Sequence, residues 1–261
     1  MNGDVNPLRD QVFCVVDVET CGEQDPEKDA VVEIGAAWCD WTGTVGHVLQ
    51  AFVDPGRPIP PEASAIHGIT DRDVVGAPTI DEVFFNGIAA GAALAPPWDV
   101  LVAHNAEFDQ ARLTPLQSSS APWLCTKRLA QHLLPDRVNH RNQTLRYLFG
   151  GADVIDGVGH RALDDCRVTA FNLGNLIRLY LEAGNPDDLG ALVTFAAEPI
   201  AVRLWPFGPD YGKPITESDW GLVQWALKTD RVKNDPDLLK TLRDDVARRS
   251  RERNAERETF L

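Results

Sequence analysis

The sequence predicts an α/β fold: a mixed sheet, part antiparallel meander and part parallel strands, flanked by helices and followed by a small C-terminal module. Three observations carry that prediction. The strand-like runs Val12–Val18, Val31–Trp38 and His47–Val53 follow one another through short connections, which suits an antiparallel meander. From Thr79 onward helices alternate with a short apolar strand, the order that builds parallel pairs and packs helices on a sheet. Beyond Pro199 the chain carries its own aromatic set, Trp205, Phe207, Trp220 and Trp225, as a separate module would.

In chain order, residues 1–10 read as a polar leader and 11–182 as the main domain. The stretch from Gly22 to Pro26 marks the first turn and Asp40 to Gly46 the second. The Pro-rich segment from Asp54 to Pro61, running on to Ile66-His67-Gly68-Ile69-Thr70, reads as a loop. Thr79-Ile80-Asp81-Glu82 has the form of a capping box, so a helix is expected from Ile80 to Leu94, stopped by Pro96-Pro97. Val100–Ala103 is a short buried strand, and helical patterns cover Ala106–Leu113, Thr126–Leu134, Gln143–Phe149 and Ala162–Leu181. In the last, Leu173, Leu176, Ile177 and Tyr180 recur at i, i+3, i+4 and i+7, one apolar stripe for the sheet to cover. Residues 183–198 have linker composition with a short helix at Leu189–Ala197, and 199–261 form the accessory module, ending in a charged run from Arg248 to Glu258 that suits a solvated helix face.

A hydrophobic fraction of 44% over 261 residues is that of a globular protein. No apolar stretch is long enough to span a bilayer, and the start Met1-Asn2-Gly3-Asp4 lacks the regions of a signal peptide, so the expectation is a soluble, cytoplasmic protein without membrane contact. Five widely spaced cysteines without a C-x-x-C pair point to neither a disulfide framework nor a zinc site. The formal charge of -14 speaks against broad electrostatic adhesion to duplex DNA without excluding nucleic acid as a substrate. Local cations such as Lys127, Arg128, Arg137, Arg141, Arg146 and Arg161 could still guide a single strand.

Chemistry begins with Asp17 and Glu19 at the end of the first strand. Residues i and i+2 of a strand share a face, so two carboxylates project side by side from an apolar run. Two buried like charges are costly unless a cation neutralises them, and hard divalent ions such as Mg²⁺ or Mn²⁺ prefer such oxygen ligands. The plainer alternative is a strand already ended, with both acids in solvent. Further along, His104-Asn105-Ala106-Glu107-Phe108-Asp109 places an acid in the first turns of a helix that follows a strand directly. His160-Arg161-Ala162-Leu163-Asp164-Asp165 opens the long last helix, with the histidine on the approaching loop.

Asp17-Val-Glu19-Thr20, His104-Asn105-x-x-Phe108-Asp109 and His160-Arg-Ala-x-Asp164-Asp165 resemble the three motifs of the DEDD-type, DnaQ-like 3′-5′ exonucleases, in the histidine-containing DEDDh branch. The segment from Ile59-Pro60 to Ile66-His67-Gly68-Ile69-Thr70 is similar to the family's substrate-side loop. The resemblance spans Val12 to Leu181 and implies a ribonuclease H-like sheet. It also implies a site in which Asp17, Glu19, Asp109 and Asp165 hold two divalent metals and His160 is the general base. Such a pair of ions activates the attacking water and stabilises the leaving 3′ oxygen, and imidazole accepts a proton near neutrality.

The same resemblance makes Thr20, Ile66 and His67 contacts of the terminal nucleotide. Phe108 reads as pocket wall or plain core, His104 and Asn105 as loop braces or substrate contacts, Asp164 as a helix-capping acid and Glu33 as structural or solvated. The expected reaction is metal-dependent release of nucleoside monophosphates from 3′ ends of single-stranded or frayed DNA. The alternatives are an exoribonuclease trimming RNA ends, separated by acceptance of a 2′-OH, and a catalytically idle end-binding module, separated by turnover. Trp205-Pro206-Phe207-Gly208-Pro209-Asp210-Tyr211-Gly212-Lys213 is similar to a Pro-Phe-Gly-x-x-x-Gly-Lys segment of exodeoxyribonuclease X-like proteins. Pro209, Asp210 and Tyr211 stand where relatives often carry basic residues, which weakens a phosphate-gripping role; the readings left are a packed appendage held by the tryptophans and an accessory strand-binding or protein-contact surface.

Overall fold

A computed structural model of the chain describes residues 6–22, 29–85, 98–113, 120–152 and 159–259. It divides into two compact units, Met1–Ala197 and Glu198–Leu261. The first is built on a five-stranded sheet: β1 (Phe13–Thr20), β2 (Val31–Cys39), β3 (Val45–Phe52), β4 (Val100–Ala103) and β5 (Trp123–Cys125), in the order β3-β2-β1-β4-β5. The β1/β2 and β2/β3 pairs are antiparallel, the β1/β4 and β4/β5 pairs parallel. This is the mixed, ribonuclease H-like arrangement implied by the motifs.

Alternation along β1 sorts the core into two layers. Phe13 and Val15 pack with the helices α5 (Thr126–Leu133), α6 (Asn142–Leu148), α7 (Ala162–Glu182) and α8 (Leu189–Ala197), whereas Cys14, Val16 and Val18 face the opposite layer with α4 (Ala106–Arg112). The stripe Leu173, Leu176, Ile177 and Tyr180 of α7 is buried against the first layer. Gly35 of β2 lets α7 in closely: a Cβ there would collide with the backbone of Ala162 and Leu163. Gly174 does the same where α7 crosses the β2–β3 turn at Thr42.

Several expectations need correction. The segment taken for a loop contains the helix α1 (Pro61–His67) and then α2 (Asp71–Val74). Pro61 occupies the first helical turn, where a missing N–H costs nothing, and Gly68 closes the helix at φ 73° in the left-handed conformation. Proline that reads as a loop signal is here a helix start. Strand β5 was unforeseen because three residues are too few for alternation to show. The capping box at Thr79 is present, with Thr79 N donating to Glu82 Oε2 at 2.8 Å, and opens α3 (Ile80–Phe85); its expected continuation to Leu94, the stop at Pro96-Pro97 and most of the turn from Gly22 to Pro26 lie outside the described residues.

The polar leader includes Leu8, fully buried in the main core, and its backbone is tied to Asp187 and Asp188. Helix α8 adds Leu189, Leu192 and Ala196 to the same core, so the first unit reaches Ala197. No helix among the described residues is long and apolar enough to cross a membrane.

In the second unit, Trp205, Ile215, Val223, Ala226, Val232, Leu238 and Leu242 form the core. The helices α9 (Trp220–Ala226), α10 (Asp230–Lys233) and α11 (Pro236–Thr259) enclose it. Trp205 is its only buried tryptophan, while Trp225 is exposed, so aliphatic residues rather than a tryptophan cluster hold the module. The charged run on α11 is not wholly solvated. Arg249 donates to the carbonyls of Ser218, Ile215 and Thr216 and pairs with the buried Asp245. Lys213, which ends the Pro-Phe-Gly segment, is paired with Asp210 at 2.6 Å.

Candidate active site

Asp17 and Glu19 share the parity of Phe13 and Val15, so they face the α7 side of the sheet at the carboxyl end of β1. Across the β1/β2 ladder Asp17 lies opposite Gly35 and Glu19 opposite Glu33. One carboxylate oxygen each from Asp17, Glu19 and Asp165 lies within 4.8 Å of the others. No hydrogen bond or ion pair with a described residue engages the carboxylates of Asp17 or Glu19. Burial first, and then the neighbouring acids, push Asp17 well above the carboxylate range and Glu19 up to about 8. Three converging hard oxygen donors with no protein cation among them fit a divalent ion.

Asp109 stands apart from this trio. It is buried in the first turns of α4, and its Oδ1 accepts the backbone N–H of Val18 at 3.2 Å, between the two acids of β1. Burial raises it to about 8, opposed by that N–H and by Arg112. The helix is entered through Asn105 at φ 80°, and Arg112 stacks 3.7 Å over the Phe108 ring. Asp109, Asp165 and Glu19 all contribute to raising Asp17, which places Asp17 at the electrostatic centre of the group.

The start of α7 holds the other half. His160 lies at φ 68°, and its backbone N–H donates to Asp165 Oδ2 at 2.8 Å. Among the described residues, Asn105 and His160 are the only non-glycine positions with positive φ, and both line the site; such strain costs about 1–3 kcal/mol and persists where the surroundings impose it. Asp165 also accepts from Gln143 at 3.3 Å, and burial raises it. The histidine ring is exposed, on the loop side of the helix, as its spacing implied.

Glu33 is the residue that sequence reasoning undervalued. It is fully buried beside Glu19 on the neighbouring strand and neither solvated nor alone: Arg161 grips it through Nη2 at 2.7 Å and Nε at 3.2 Å, Gln50 donates at 2.7 Å, and the Ala162 N–H at 3.1 Å. Burial pushes its carboxyl up, but these donors hold it below its ordinary value. Glu33 therefore caps α7 from another strand and pins the segment carrying His160 and Asp165. Asp164, expected as the capping acid, instead pairs with Arg167 at 3.2 Å, and no side chain of the segment itself caps the helix. An acid inside an otherwise apolar strand was the available signal.

The remaining candidates surround the acids. Thr20 is buried and its hydroxyl donates to the Gly22 carbonyl. Ile66 is half exposed at the end of α1, and the buried His67 accepts the Ile69 N–H at 3.0 Å through Nδ1. His104 uses both ring nitrogens on the protein, with Thr126 Oγ1 at 2.9 Å and the His140 carbonyl at 2.8 Å. The carbonyl requires Nε2 to donate, so Nδ1 accepts from the threonine. Burial lowers this imidazole to about 4, and it is a neutral brace. Every one of these residues lines a single cleft of about 220 Å³ together with Asp17, Glu19, Asp109, His160 and Asp165.

Residues 14–171 match the family model described as RNase T exonuclease. The chain is 32% identical over 219 residues to exodeoxyribonuclease 10 of Escherichia coli strain K12, covering 82% of this chain and 89% of that protein. It is 32% identical over 210 residues to the PolC-type DNA polymerase III of Listeria monocytogenes, covering 77% of this chain and 14% of the polymerase. A solved structure of exonuclease X with 5′ overhanging duplex DNA superposes at a TM-score of 0.56 and 30% identity, over 71% of this chain and 99% of that one. The sheet, the acid-lined cleft and these likenesses agree, and the chain is a nuclease belonging to the DnaQ-like exonuclease family.

Proposed function

We propose that the chain is a metal-dependent 3′-5′ exonuclease that releases nucleoside monophosphates from single-stranded or frayed DNA ends. The observation that carries this reading is the convergence of Asp17, Glu19 and Asp165 in the cleft that Asp109 and His160 also line. Asp17, Glu19, Asp109 and Asp165 would hold two divalent ions, Mg²⁺ or Mn²⁺. Bound there, such ions supply Lewis acidity to the phosphoryl oxygens and offset the charge of the acids.

The chain's own residues do the rest. His160, on an exposed loop with its backbone fixed to Asp165, accepts the proton of the attacking water. Thr20, Ile66, His67 and Phe108 line the cleft and would contact the terminal nucleotide there. Polarity and the two-ion mechanism follow the motif resemblance. DNA as substrate is supported by the exodeoxyribonuclease and the DNA-bound exonuclease X among the relatives.

Chromatography of digests tests the reading. Single-stranded DNA with Mg²⁺ or Mn²⁺ yields deoxynucleoside 5′-monophosphates and none in EDTA, and a matched RNA strand is degraded at least about tenfold more slowly. Intact DNA in the presence of either metal overturns the enzyme reading; equal rates on RNA overturn the substrate assignment.

A further inference from the structure

Beside the cleft runs a groove of about 500 Å³ that shares His104 and Asn105 with it and is otherwise lined by Lys127, Gln131 and the segment from Val138 to Asn142. Its charge is unlike that of the chain. Acids outnumber bases 39 to 25 overall, yet the groove has two cations, Lys127 and Arg141, and no acid. Lys127 spends its ammonium only on a neutral amide, donating to Asn105 Oδ1 at 3.2 Å, and Arg141 forms no ion pair with a described residue. Cations left uncompensated in an acidic protein suit a polyanion.

The groove is built, not incidental. His104 ties the end of β4 to the start of α5 through Thr126 and to the groove's far wall through the His140 carbonyl. His140 is itself bonded to the Leu134 carbonyl at 2.9 Å. The same histidine therefore fixes the groove to the strand end from which Asp109 follows. Amides of Gln131 and Asn139 add neutral donors to the lining, Asn142 being spent on the Asp165 carbonyl and Thr169, and Val138 is fully exposed, an apolar contact for a base or sugar.

We propose that this groove is the track of the nucleic-acid strand behind its 3′-terminal nucleotide, with Lys127 and Arg141 holding successive backbone phosphates. The proposal rests on the exonuclease reading of the adjoining cleft. It explains how a strongly acidic chain retains a strand: contact is confined to one lined channel leading to the acids.

The test compares a single-stranded dodecamer with the p-nitrophenyl ester of thymidine 5′-monophosphate, which occupies the cleft alone. In Arg141→Glu and in Arg141→Ala combined with Lys127→Ala, KM for the dodecamer rises about tenfold with kcat within about twofold. The ester's kcat/KM stays within about twofold, and Arg141→Lys behaves as the parent. The log–log dependence of dodecamer binding on salt becomes shallower by about 1.4 in the double variant, for two phosphate contacts. An unchanged KM for the dodecamer, or equal losses on both substrates, overturns the track. If the parent cleaves neither substrate, the enzyme reading fails separately. Anisotropy of a labelled dodecamer on Asp17→Asn protein with Mg²⁺ then decides the groove: Arg141→Glu in that background binds at least tenfold more weakly, and equal binding refutes it.

Discussion

Asp17 and Glu33 occupy neighbouring strands and have opposite energetics. Asp17 is raised because burial and surrounding acids disfavour its charge and no described donor compensates it. Glu33 is fully buried, yet lowered, because Arg161, Gln50 and the Ala162 N–H satisfy it. Removing charge from the first relieves the fold, and removing it from the second loosens α7. In EDTA, Asp17→Asn is expected to raise the thermal midpoint, by about 2–4 °C for each kcal/mol relieved in a domain of this size, while abolishing turnover; calorimetry and a nuclease assay on one preparation check both. Glu33→Gln, which keeps the shape but weakens the grip on Arg161, is expected to lower kcat about tenfold or more with KM nearly unchanged, since His160 and Asp165 lose their fixed origin. A Glu33→Gln protein with parental kcat would show that the clamp is structural only.

Helix α7 is the element on which the site depends, because its N-terminus must lie flush against β2. Gly35 permits this, and a side chain there meets the backbone of Ala162 and Leu163. Gly35→Ala is expected to cost about 1–3 kcal/mol through overpacking and to lower activity more than stability, which paired urea unfolding and kcat measurements can resolve. The elements that were legible in the sequence are those with strong periodicity or explicit caps: α7 from its stripe, α3 from Thr79 and Glu82, β1 from its apolar run. Helix α1 was hidden because Pro60 and Pro61 signal a loop and a helix start with the same letters. The Arg249 anchor in α11 was hidden because a charged run looks solvated until its carbonyl partners are known.

For the whole first unit, the cluster is expected to make stability depend on pH and on added metal. Glu19 has an ordinary value of 4.5 and is raised to about 8 in the fold. Between those values the native state holds a proton that the unfolded chain has released, so the metal-free protein loses stability as pH rises. At about 1.4 kcal/mol per pKa unit and 2–4 °C per kcal/mol, the EDTA midpoint should fall by about 5 °C or more from pH 5 to 8. Mg²⁺ should flatten that slope, as scanning fluorimetry with and without the ion would show. The grouping of the acids and histidine of the cleft came from the motif resemblance; strand parity at β1 and the short offsets along α4 and α7 added only where each side chain sits on its element. The clamp was not legible, since Arg161 and Glu33 stand 128 residues apart and an acid inside an apolar strand does not by itself name its partner. The central claim is that these acids cut DNA from the 3′ end, and one gel tests it most directly. A 5′-labelled single strand incubated with Mg²⁺ should shorten through a descending ladder, while the same strand labelled at its 3′ end releases labelled mononucleotide at once. Early labelled mononucleotide from the 5′-labelled strand, or an unshortened strand, would contradict the account.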